Sequence, residues 1–358
     1  MLTQTQINEI RGHLEKAQNP LFFFDNDADG LCSFLLLQKY IGIGKGIPIK
    51  TFPNLAKEYF RKIKELEPDC IFILDKPLVS EEFLDEVRQI NLPVVWIDHH
   101  EVQEKIPEFV SYYNVSGEGA NFPTTYLCYQ VSGKAEDLWI AVAGCISDNY
   151  LPDFYEEFME RYPDLSVSSK NPTEIYYNSG IGKITLMFNF ALKDRITNVI
   201  NMLRFLVKSK SPYDILEESG RTFPIHKRFS EINKKYTALL EKARKEVVVD
   251  GVLFFRYGGN LSISADLANG LKRKFPDRII VVGYISGSKI NISIRGGKIR
   301  SIALESISGF EDSTGGGHED AVGVKIKLQD WRIFREIFLE KVREKNSADK
   351  KSQQHRKD

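Results

Sequence analysis

The chain has 358 residues, of which 42% are hydrophobic, so it can bury a substantial core and exceeds the usual size of one domain. Its 49 basic and 49 acidic side chains balance, which excludes an overall positive field that would by itself attract nucleic acid. No apolar run is long enough for a membrane span, and residues 1–20 lack the features of a leader peptide, so we expect a soluble cytoplasmic protein without membrane contact.

Short apolar runs alternate with amphipathic stretches over the first 150 residues. Strands are predicted at Leu21–Asp25, Ile71–Asp75 and Val94–Asp98, and helices at Leu31–Tyr40, Lys57–Leu66, Glu81–Ile90, Thr124–Ser132 and Glu136–Ile146. This alternation is typical of a parallel α/β sheet. Each predicted strand ends in an aspartate, and ligands bind at the carboxyl ends of such strands. We therefore expect several carboxylates to gather at one edge of the sheet.

The pattern changes after residue 149. Helical patterns at Ile184–Val207 and Phe229–Val247 predict a helical connector over residues 156–248. A second, smaller α/β unit over residues 249–345 is predicted from strands near Val252–Arg256, Ile279–Ile285 and Lys289–Arg295, a helix near Asp266–Lys274, a glycine-rich run Ser313–Gly323 before Val324–Leu328, and a final helix Trp331–Glu344. Residues 346–358 have almost no apolar side chains, so a disordered basic tail is expected.

The segment FFFDNDADG places Asp25, Asp27 and Asp29 at alternate positions where an apolar strand runs into Gly30. Three carboxylates this close repel one another unless cations or strong hydrogen bonds compensate their charge. An EF-hand calcium loop would need a glutamate at its twelfth position, which is Leu36 when Asp25 is counted as the first. The segment therefore favours a different hard-cation site, with an acidic turn held by Asx hydrogen bonds as the structural alternative.

A second segment, VVWIDHHE, places Asp98, His99 and His100 directly after another predicted strand. Imidazoles mixed with carboxylates form a ligand set that suits manganese or zinc and tolerates magnesium. Asp75 ends the strand IFIL and Asp148 follows the apolar helix AVAGCIS, so both can supply a carboxylate at the same edge. For these two aspartates a helix-capping role is an equal alternative on spacing alone.

The ordered combination of DNDADG, Asp75, DHH and Asp148 resembles the amino-terminal motifs of the DHH phosphoesterase superfamily. That superfamily includes RecJ-type exonucleases, oligonucleotide-degrading enzymes, cyclic-dinucleotide phosphodiesterases and family II inorganic pyrophosphatases. Two later segments, ISIRGGKIRS and STGGGHEDAVG, resemble the DHH-associated substrate-binding domain. The resemblance implies a parallel-sheet α/β catalytic domain over residues 1–155, followed by the helical connector and the smaller α/β domain, with an active-site cleft between the two lobes.

The resemblance also implies two bound divalent cations, Mn²⁺ by preference and Mg²⁺ as the alternative. It assigns Asp27 to one metal and Asp29 to the other, with Asp75 bridging both. His99 and Asp148 would complete the second metal's ligands.

Asp25 matches the first acid of the RecJ-type motif, whereas pyrophosphatases place a histidine where this chain has Phe23, which argues against a pyrophosphatase. A ligand imidazole normally needs a partner on its other nitrogen, so orienting roles are expected for His100 and Asp98. The residues predicted to act in catalysis are Asp75, His99 and His100.

Substrate binding is predicted for the second unit. Gly315, Gly316 and Gly317 would let backbone amides approach a phosphate closely, with His318 as a side-chain donor beside them. Arg295 would hold a second phosphate with its guanidinium fork. A tight turn for the glycines and a surface position for the arginine are the alternatives.

The predicted function is exonucleolytic hydrolysis of single-stranded DNA or RNA to 5′-mononucleotides, as the resemblance to the archaeal RecJ-like branch implies. Two metals about 4 Å apart would clamp the phosphodiester while water attacks in line. A replication or repair helicase is the protein partner that the resemblance implies, and the terminal segments and the connector are candidates for homo-oligomer contacts. The alternatives are a short-oligonucleotide or cyclic-dinucleotide phosphodiesterase and a non-catalytic scaffold in a helicase complex. The presence of every matching ligand favours catalysis.

Overall fold

The computed structural model describes residues 1–354 except 52, 104, 116–121 and 318, and for residues 348–354 it describes the backbone alone. The chain divides into two compact units, residues 1–231 and 232–358. In the part of the chain so described, no helix has both the length and the apolar composition needed to cross a bilayer.

The first unit begins as an α/β domain. Its elements in chain order are α1 (Gln4–Lys16), β1 (Pro20–Asp25), α2 (Ala28–Ile41), β2 (Lys45–Ile49), β3 (Asn54–Leu55), α3 (Phe60–Leu66), β4 (Cys70–Leu74), β5 (Leu78–Val79), α4 (Glu81–Gln89), β6 (Val94–Asp98), β7 (Val110–Asn114), α5 (Thr124–Ser132) and α6 (Leu138–Ser147). The main sheet has the order β2-β1-β4-β6-β7, and all its neighbouring strands are parallel. The predicted parallel α/β architecture is confirmed.

Both faces of this sheet are covered by helices, and β1 shows how. Phe22 and Phe24 pack against Phe34 of α2 on one face, while Phe23 contacts the ring of Phe83 of α4 on the other. A strand buried on both faces has a continuous apolar run rather than alternating apolar and polar residues. This is why β1, β4 and β6 could be predicted from the sequence. The edge strands β2 and β7 were missed because both are only partly buried and carry polar residues.

The helices after residue 150 belong largely to the same unit. They are α7 (Tyr155–Arg161), α8 (Pro172–Asn178), α9 (Gly180–Ala191), α10 (Ile196–Leu206), α11 (Tyr213–Leu216) and α12 (Phe223–Ala243). The single helical pattern predicted over residues 184–207 is divided between α9 and α10. Ile184, Met187 and Phe188 of α9 lie in the same core as the buried residues of α2 and α6. Up to residue 231, the region predicted as a connector therefore helps to form the first unit's core.

The second unit is a mixed sheet with helices. Its elements are β8 (Val248–Val249), β9 (Val252–Tyr257), α13 (Ser264–Lys274), β10 (Ile279–Ser286), β11 (Lys289–Arg295), α14 (Arg300–Glu305), β12 (Thr314–Gly317), β13 (Ala321–Lys327) and α15 (Trp331–Gln354). The strand order is β12-β13-β11-β10-β9-β8, in which β9 and β10 are parallel and the other pairs antiparallel. The predicted second α/β unit is confirmed, and its glycine-rich run begins as strand β12.

The last helix extends further than the sequence predicted. Trp331, Phe334 and Phe338 of α15 are buried in the second unit's core. The helix then continues through Gln354, past residue 346 where the sequence predicted a disordered tail. Alanine, lysine and glutamine in this stretch have high intrinsic helix propensity, so the backbone can stay helical without an apolar face.

Candidate metal centre

The junction between β1 and α2 holds three of the predicted acids. Asp25 ends β1, Asp27 is the N-cap of α2, and Asp29 lies in the first turn of that helix. The Gly30 amide donates a hydrogen bond to Asp27 Oδ1 at 3.0 Å. The Gly30 backbone also lies so close to Asp25 that a Cβ at residue 30 would be 2.5 Å from the Asp25 carbonyl oxygen. The junction therefore requires glycine, and the close approach brings the three aspartates together.

The amino-terminal end of α5 fixes Asp29. The Thr125 amide donates to Asp29 Oδ1 at 2.7 Å and the Thr124 amide donates to Oδ2 at 3.0 Å. The Thr124 hydroxyl donates to Asp75 Oδ1 at 3.2 Å. The first amides of a helix have no partners within it, so an ionised carboxylate is a favourable acceptor for them. These two threonines were missed in the sequence because nothing in their spacing relates them to the aspartates.

His99 lies among three carboxylates at the carboxyl edge of the main sheet. Its Nε2 is 3.2 Å from Asp148 Oδ2, 3.4 Å from Asp75 Oδ1 and 3.9 Å from Asp29 Oδ2. The side chains of Asp29, Asp75 and His99 are at most 3% exposed, whereas that of Asp148 is 28% exposed. The cluster is therefore buried on the sheet side and open to solvent at Asp148.

Asp75 adopts an unusual backbone conformation. It follows β4 and has a φ of 57°, in the left-handed region that residues other than glycine rarely occupy. Its amide donates to the carbonyl of Ile97 in the neighbouring strand at 3.0 Å, which helps to hold this conformation. Such strain is concentrated at functional sites, because there the position of a side chain outweighs its local cost.

Asp98 orients His100. His100 Nδ1 donates to Asp98 Oδ1 at 2.9 Å, and the His100 amide donates to Asp98 Oδ2 at 3.0 Å. Burial lowers the pKa of His100, but the charge of Asp98 and its hydrogen bond outweigh burial and raise the pKa to about 9. Asn114, which the sequence analysis missed, donates to the His100 carbonyl at 2.9 Å. In the absence of a metal ion, Asp98 therefore fixes the ring of His100 and favours its protonated form.

Two further residues near the acids were missed. Lys76 is fully buried, and its Nζ is 2.9 Å from Asp25 Oδ1. Asn189, on α9, accepts a hydrogen bond from the Ala28 amide at 2.9 Å, so a helix from the predicted connector supports the start of α2. Neither belongs to a motif, and both act through contacts between residues distant in sequence.

Within the described part of the chain, three overlapping groups of side chains could each hold a metal ion. In each group the candidate ligand atoms lie within 4.8 Å of one another, and the groups are Asp25, Asp27 and Asp75; Asp29, His99 and Asp148; and Asp75, His99 and His100. Asp75 belongs to the first and third groups, and His99 to the second and third. This division of the side chains parallels the two-metal assignment that the family resemblance implies.

The electrostatics of the cluster also fit a bound cation. Burial and then the charge of Asp25 raise the pKa of Asp27 to about 7. Burial and then the charge of Asp148 raise the pKa of Asp29 to about 6, and burial raises the pKa of Asp75 well above its usual range. The ionised forms of these buried carboxylates are therefore disfavoured without a cation and would be stabilised by one. Oxygen-rich donor sets of this kind bind Mg²⁺ and Mn²⁺.

Arg295, predicted to bind substrate, lies at the end of β11. It pairs with Ala321 of β13, and the next residue of β13, Val322, pairs with Gly317 of β12. Its Nε donates to Asn269 Oδ1 at 2.6 Å and its Nη1 donates to the Ile294 carbonyl at 2.9 Å. The structure thus brings Arg295 to the same end of the sheet as the glycine run.

The three glycines of β12 differ in what they require. A Cβ at Gly315 would lie 2.8 Å from a methyl group of Val324, and Gly317 has a φ of +136°, so both have structural reasons to be glycine. A Cβ at Gly316 would meet no atom of the described residues within 4 Å, so the packing of that part of the second unit does not require glycine there. His318 lies outside the described residues.

Gly30→Ala should destabilise the protein. The added methyl group meets the Asp25 backbone, and overpacking of this kind costs roughly 1–3 kcal/mol. Denaturant unfolding would measure the loss. Gly12→Ala in α1 is the matched control, because no atom lies within 4 Å of a Cβ there and alanine favours helix. Equal unfolding midpoints for Gly30→Ala and the wild type would contradict the close approach.

The metal-induced stabilisation should increase with pH. Because the folded-state pKa values of Asp27 and Asp29 are raised, the metal-free protein loses stability as pH rises from about 4 through about 7. A divalent cation binds the ionised carboxylates and removes that loss. The increase in Tm on adding Mn²⁺ should therefore be larger at about pH 8 than at about pH 5. An increase that is the same at both values would show that these carboxylates do not bind the ion.

Comparison with known proteins gives a family match for the first unit. Residues 21–146 match the model of the DHH family, N-terminal domain. This segment contains the predicted acids from Asp25 to Asp98 together with His99 and His100, and ends two residues before Asp148. No curated protein sequence matches the chain.

The whole chain is similar in fold to several solved structures. RecJ from Thermus thermophilus in complex with Mn²⁺ has a TM-score of 0.71 and 15% identity, and the match covers 95% of this chain and 54% of RecJ. The chain thus spans about half the length of that protein. An exonuclease RecJ bound to manganese has a TM-score of 0.64 and 14% identity, over 94% of this chain and 93% of its own.

A third similar structure is the pGpG-specific phosphodiesterase PggH from Vibrio cholerae. It has a TM-score of 0.51 and 15% identity, over 91% of this chain and 99% of PggH. At such low identity these structures establish the fold of the chain, and the family match applies to residues 21–146. Residues 21–146 thus form a domain that matches the DHH family, and the chain has a RecJ-like fold.

Proposed function

We propose that the protein is a metal-dependent phosphodiesterase that digests single-stranded DNA or RNA from an end and releases 5′-mononucleotides. The observation that carries the proposal is the cluster of carboxylates around His99 at the carboxyl edge of the main sheet. The similarity to an exonuclease RecJ bound to manganese supports a nuclease among the phosphodiesterases. Replication or repair is the process that this activity would serve.

Two divalent cations are the proposed cofactors, with Mn²⁺ preferred and Mg²⁺ as the alternative. The proposed ligands are Asp25, Asp27 and Asp75 for one cation and Asp29, His99 and Asp148 for the other, with Asp75 between them. When bound, such cations activate water as a nucleophile and neutralise charge on the phosphate and leaving oxygens. The protein's own contribution is to hold the ligands in place before substrate arrives.

That contribution can be followed from the contacts. The helix α5 holds both oxygens of Asp29 through backbone amides, so this carboxylate has little freedom to rotate. Asp148 and Asp25 are partly exposed and lie where a phosphate could reach the centre. His100, kept protonated by Asp98, is the proposed donor to a phosphoryl or leaving oxygen.

The second unit is proposed to bind phosphates beyond the one that is cleaved. Arg295 supplies a positive charge at the end of β11, held in place by Asn269 and the Ile294 carbonyl, and the space beside Gly316 would allow a phosphate to approach the backbone of β12. If the first unit cleaves one phosphodiester and the second unit binds further phosphates, a nucleic acid strand is a better substrate than pyrophosphate.

A short-oligonucleotide or cyclic-dinucleotide phosphodiesterase is the second candidate, because the fold is also that of a pGpG-specific phosphodiesterase. A non-catalytic scaffold is disfavoured, since the acids and His99 of the ligand set are all present. Association with a replication or repair helicase and homo-oligomer formation stay predictions from the sequence resemblance.

The substrate proposal is tested with purified protein and Mn²⁺ on end-labelled single-stranded DNA, single-stranded RNA and the dinucleotide pGpG. We expect mononucleotides from the long strands, without accumulation of intermediate fragments near the labelled end that an endonuclease would leave. Rapid cleavage of pGpG with intact long strands would favour the second candidate. No cleavage of any of the three would overturn the enzymatic proposal.

Asp75→Asn should abolish turnover while the protein stays folded. Changes outside the ligand shell of a metal centre already cost 10- to 100-fold, so loss of the proposed bridging ligand should exceed about a hundredfold. Asp137→Asn is the matched control, because Asp137 is equally buried but pairs with Lys39 at 3.2 Å. The activity of Asp137→Asn should stay close to that of the wild type. A comparable loss of activity in both variants would contradict the proposal that Asp75 is a metal ligand.

Gly316→Ala and Arg295→Ala should raise KM, each by roughly tenfold, with a smaller change in kcat, because they remove contacts to phosphates that are not cleaved. The added methyl group of Gly316→Ala meets no neighbouring atom, so folding should be unaffected. Gly309→Ala is the control, because Gly309 is an exposed glycine of the second unit and a Cβ there would also meet no described atom within 4 Å. An unchanged KM for long strands in both variants would place substrate binding elsewhere.

A further inference from the structure

Lys76 is a buried cation beside the candidate metal centre. Its side chain is 0% exposed, and its Nζ is 2.9 Å from Asp25 Oδ1 and donates to the Thr51 carbonyl at 2.8 Å. The indole Nε1 of Trp96 donates to the Lys76 carbonyl at 2.9 Å, which fixes the backbone from which the side chain extends. The ammonium therefore cannot reach solvent or substrate without a rearrangement of its surroundings.

The ammonium and a metal ion would compete for the same carboxylate. A buried ammonium is costly unless a carboxylate or several hydrogen bonds compensate it, and here Asp25 supplies the negative charge. Asp25 is also one of the three carboxylates, with Asp27 and Asp75, that could hold a cation. When these carboxylates are ionised, the positive charge of Lys76 makes the net charge of the group less negative by one.

We propose that Lys76 is a positioning residue that acts through Asp25 and sets the affinity of the centre for divalent cations. It withholds part of the Asp25 charge from the metal and adds electrostatic repulsion toward it. The inference rests on the proposed metal-dependent function.

A purely structural role makes a different prediction. Asp25 Oδ1 also accepts a hydrogen bond from the Asn26 amide at 2.9 Å, so Lys76 is one of two groups that hold it. If Lys76 only held Asp25 in place, its removal would loosen the ligands and weaken metal binding. If it competes with the metal, removal of its charge strengthens metal binding.

Lys76→Gln separates these roles, because glutamine keeps N–H donors and loses the charge. Isothermal titration of metal-free protein with Mn²⁺, without substrate, should show tighter binding for Lys76→Gln and Lys76→Met than for the wild type. A unit charge about 4–5 Å from a cation corresponds to at least about a tenfold change in affinity. Lys76→Arg, which keeps the charge, should bind Mn²⁺ as the wild type does.

Lys39→Gln is the matched control. Lys39 is another largely buried lysine paired with a buried carboxylate, Asp137, at 3.2 Å. It lies ten residues after Asp29 on α2, about 15 Å further along the helix. Its substitution should leave Mn²⁺ affinity unchanged.

The route through Asp25 is tested by a double-variant cycle. In an Asp25→Asn background the carboxylate for which Lys76 competes is absent, so Lys76→Gln should give a clearly smaller gain in affinity than it gives with Asp25 present. A gain of the same size in both backgrounds would overturn the action through Asp25.

Folding of the variants is monitored by thermal unfolding. If Lys76→Gln and Lys76→Met fold only with Mn²⁺, the metal-loaded proteins are titrated with EDTA instead, and more chelator than for the wild type should be needed to release the ion. Unchanged or weaker binding in these variants, or an equal gain in Lys39→Gln, would overturn the inference. A wild-type protein that binds no Mn²⁺ would overturn the proposed function as well, so the two failures can be told apart.

Discussion

The mutual repulsion of carboxylates at the carboxyl edge of the main sheet is the constraint on which the rest of the first unit depends. Asp27, Asp29 and Asp75 have raised pKa values because they are gathered in a poorly hydrated space. The fold resists this repulsion with groups of opposite sign: the first amides of α5 at Asp29 and the ammonium of Lys76 at Asp25. The apolar strands β1, β4 and β6, buried on both faces, supply the stability that keeps the acids together.

The positions of the aspartates at the ends of strands could be predicted, because they depend only on the residues next to them in the sequence. An apolar run that ends in an aspartate gives the end of a buried strand, and parallel strands end at one edge. The residues that support the acids were not predictable in this way. Thr124 is 95 residues from Asp29 in the sequence, and Asn189 is 161 residues from Ala28. Hydrogen bonds between such distant residues depend on how the helices pack. Lys76 follows Asp75 directly, yet nothing in its neighbours indicates that its side chain turns inward.

The same distinction applies to the fold of the rest of the chain. Strands β9, β10 and β11 were predicted within one residue, because β9 and β10 are largely apolar runs and β11 alternates isoleucine with polar residues. The role of the middle region was harder to predict, because helix periodicity does not reveal which core the apolar face joins. In the second unit phosphate binding by the glycine run stays a prediction, and the structure adds that Gly315 and Gly317, unlike Gly316, have packing or backbone reasons to be glycine.

The contribution of α9 to the first core has a consequence for how this protein can be divided. The family match ends at residue 146, yet Ile184, Met187 and Phe188 share a core with α2 and α6, and Asn189 caps the amide at the start of α2. A fragment cut soon after the matched region would expose that apolar surface and release the helix that carries Asp29. A piece of the chain able to form the centre by itself therefore includes at least the helices through α9, and insertions are better tolerated in the segments between those helices than within them.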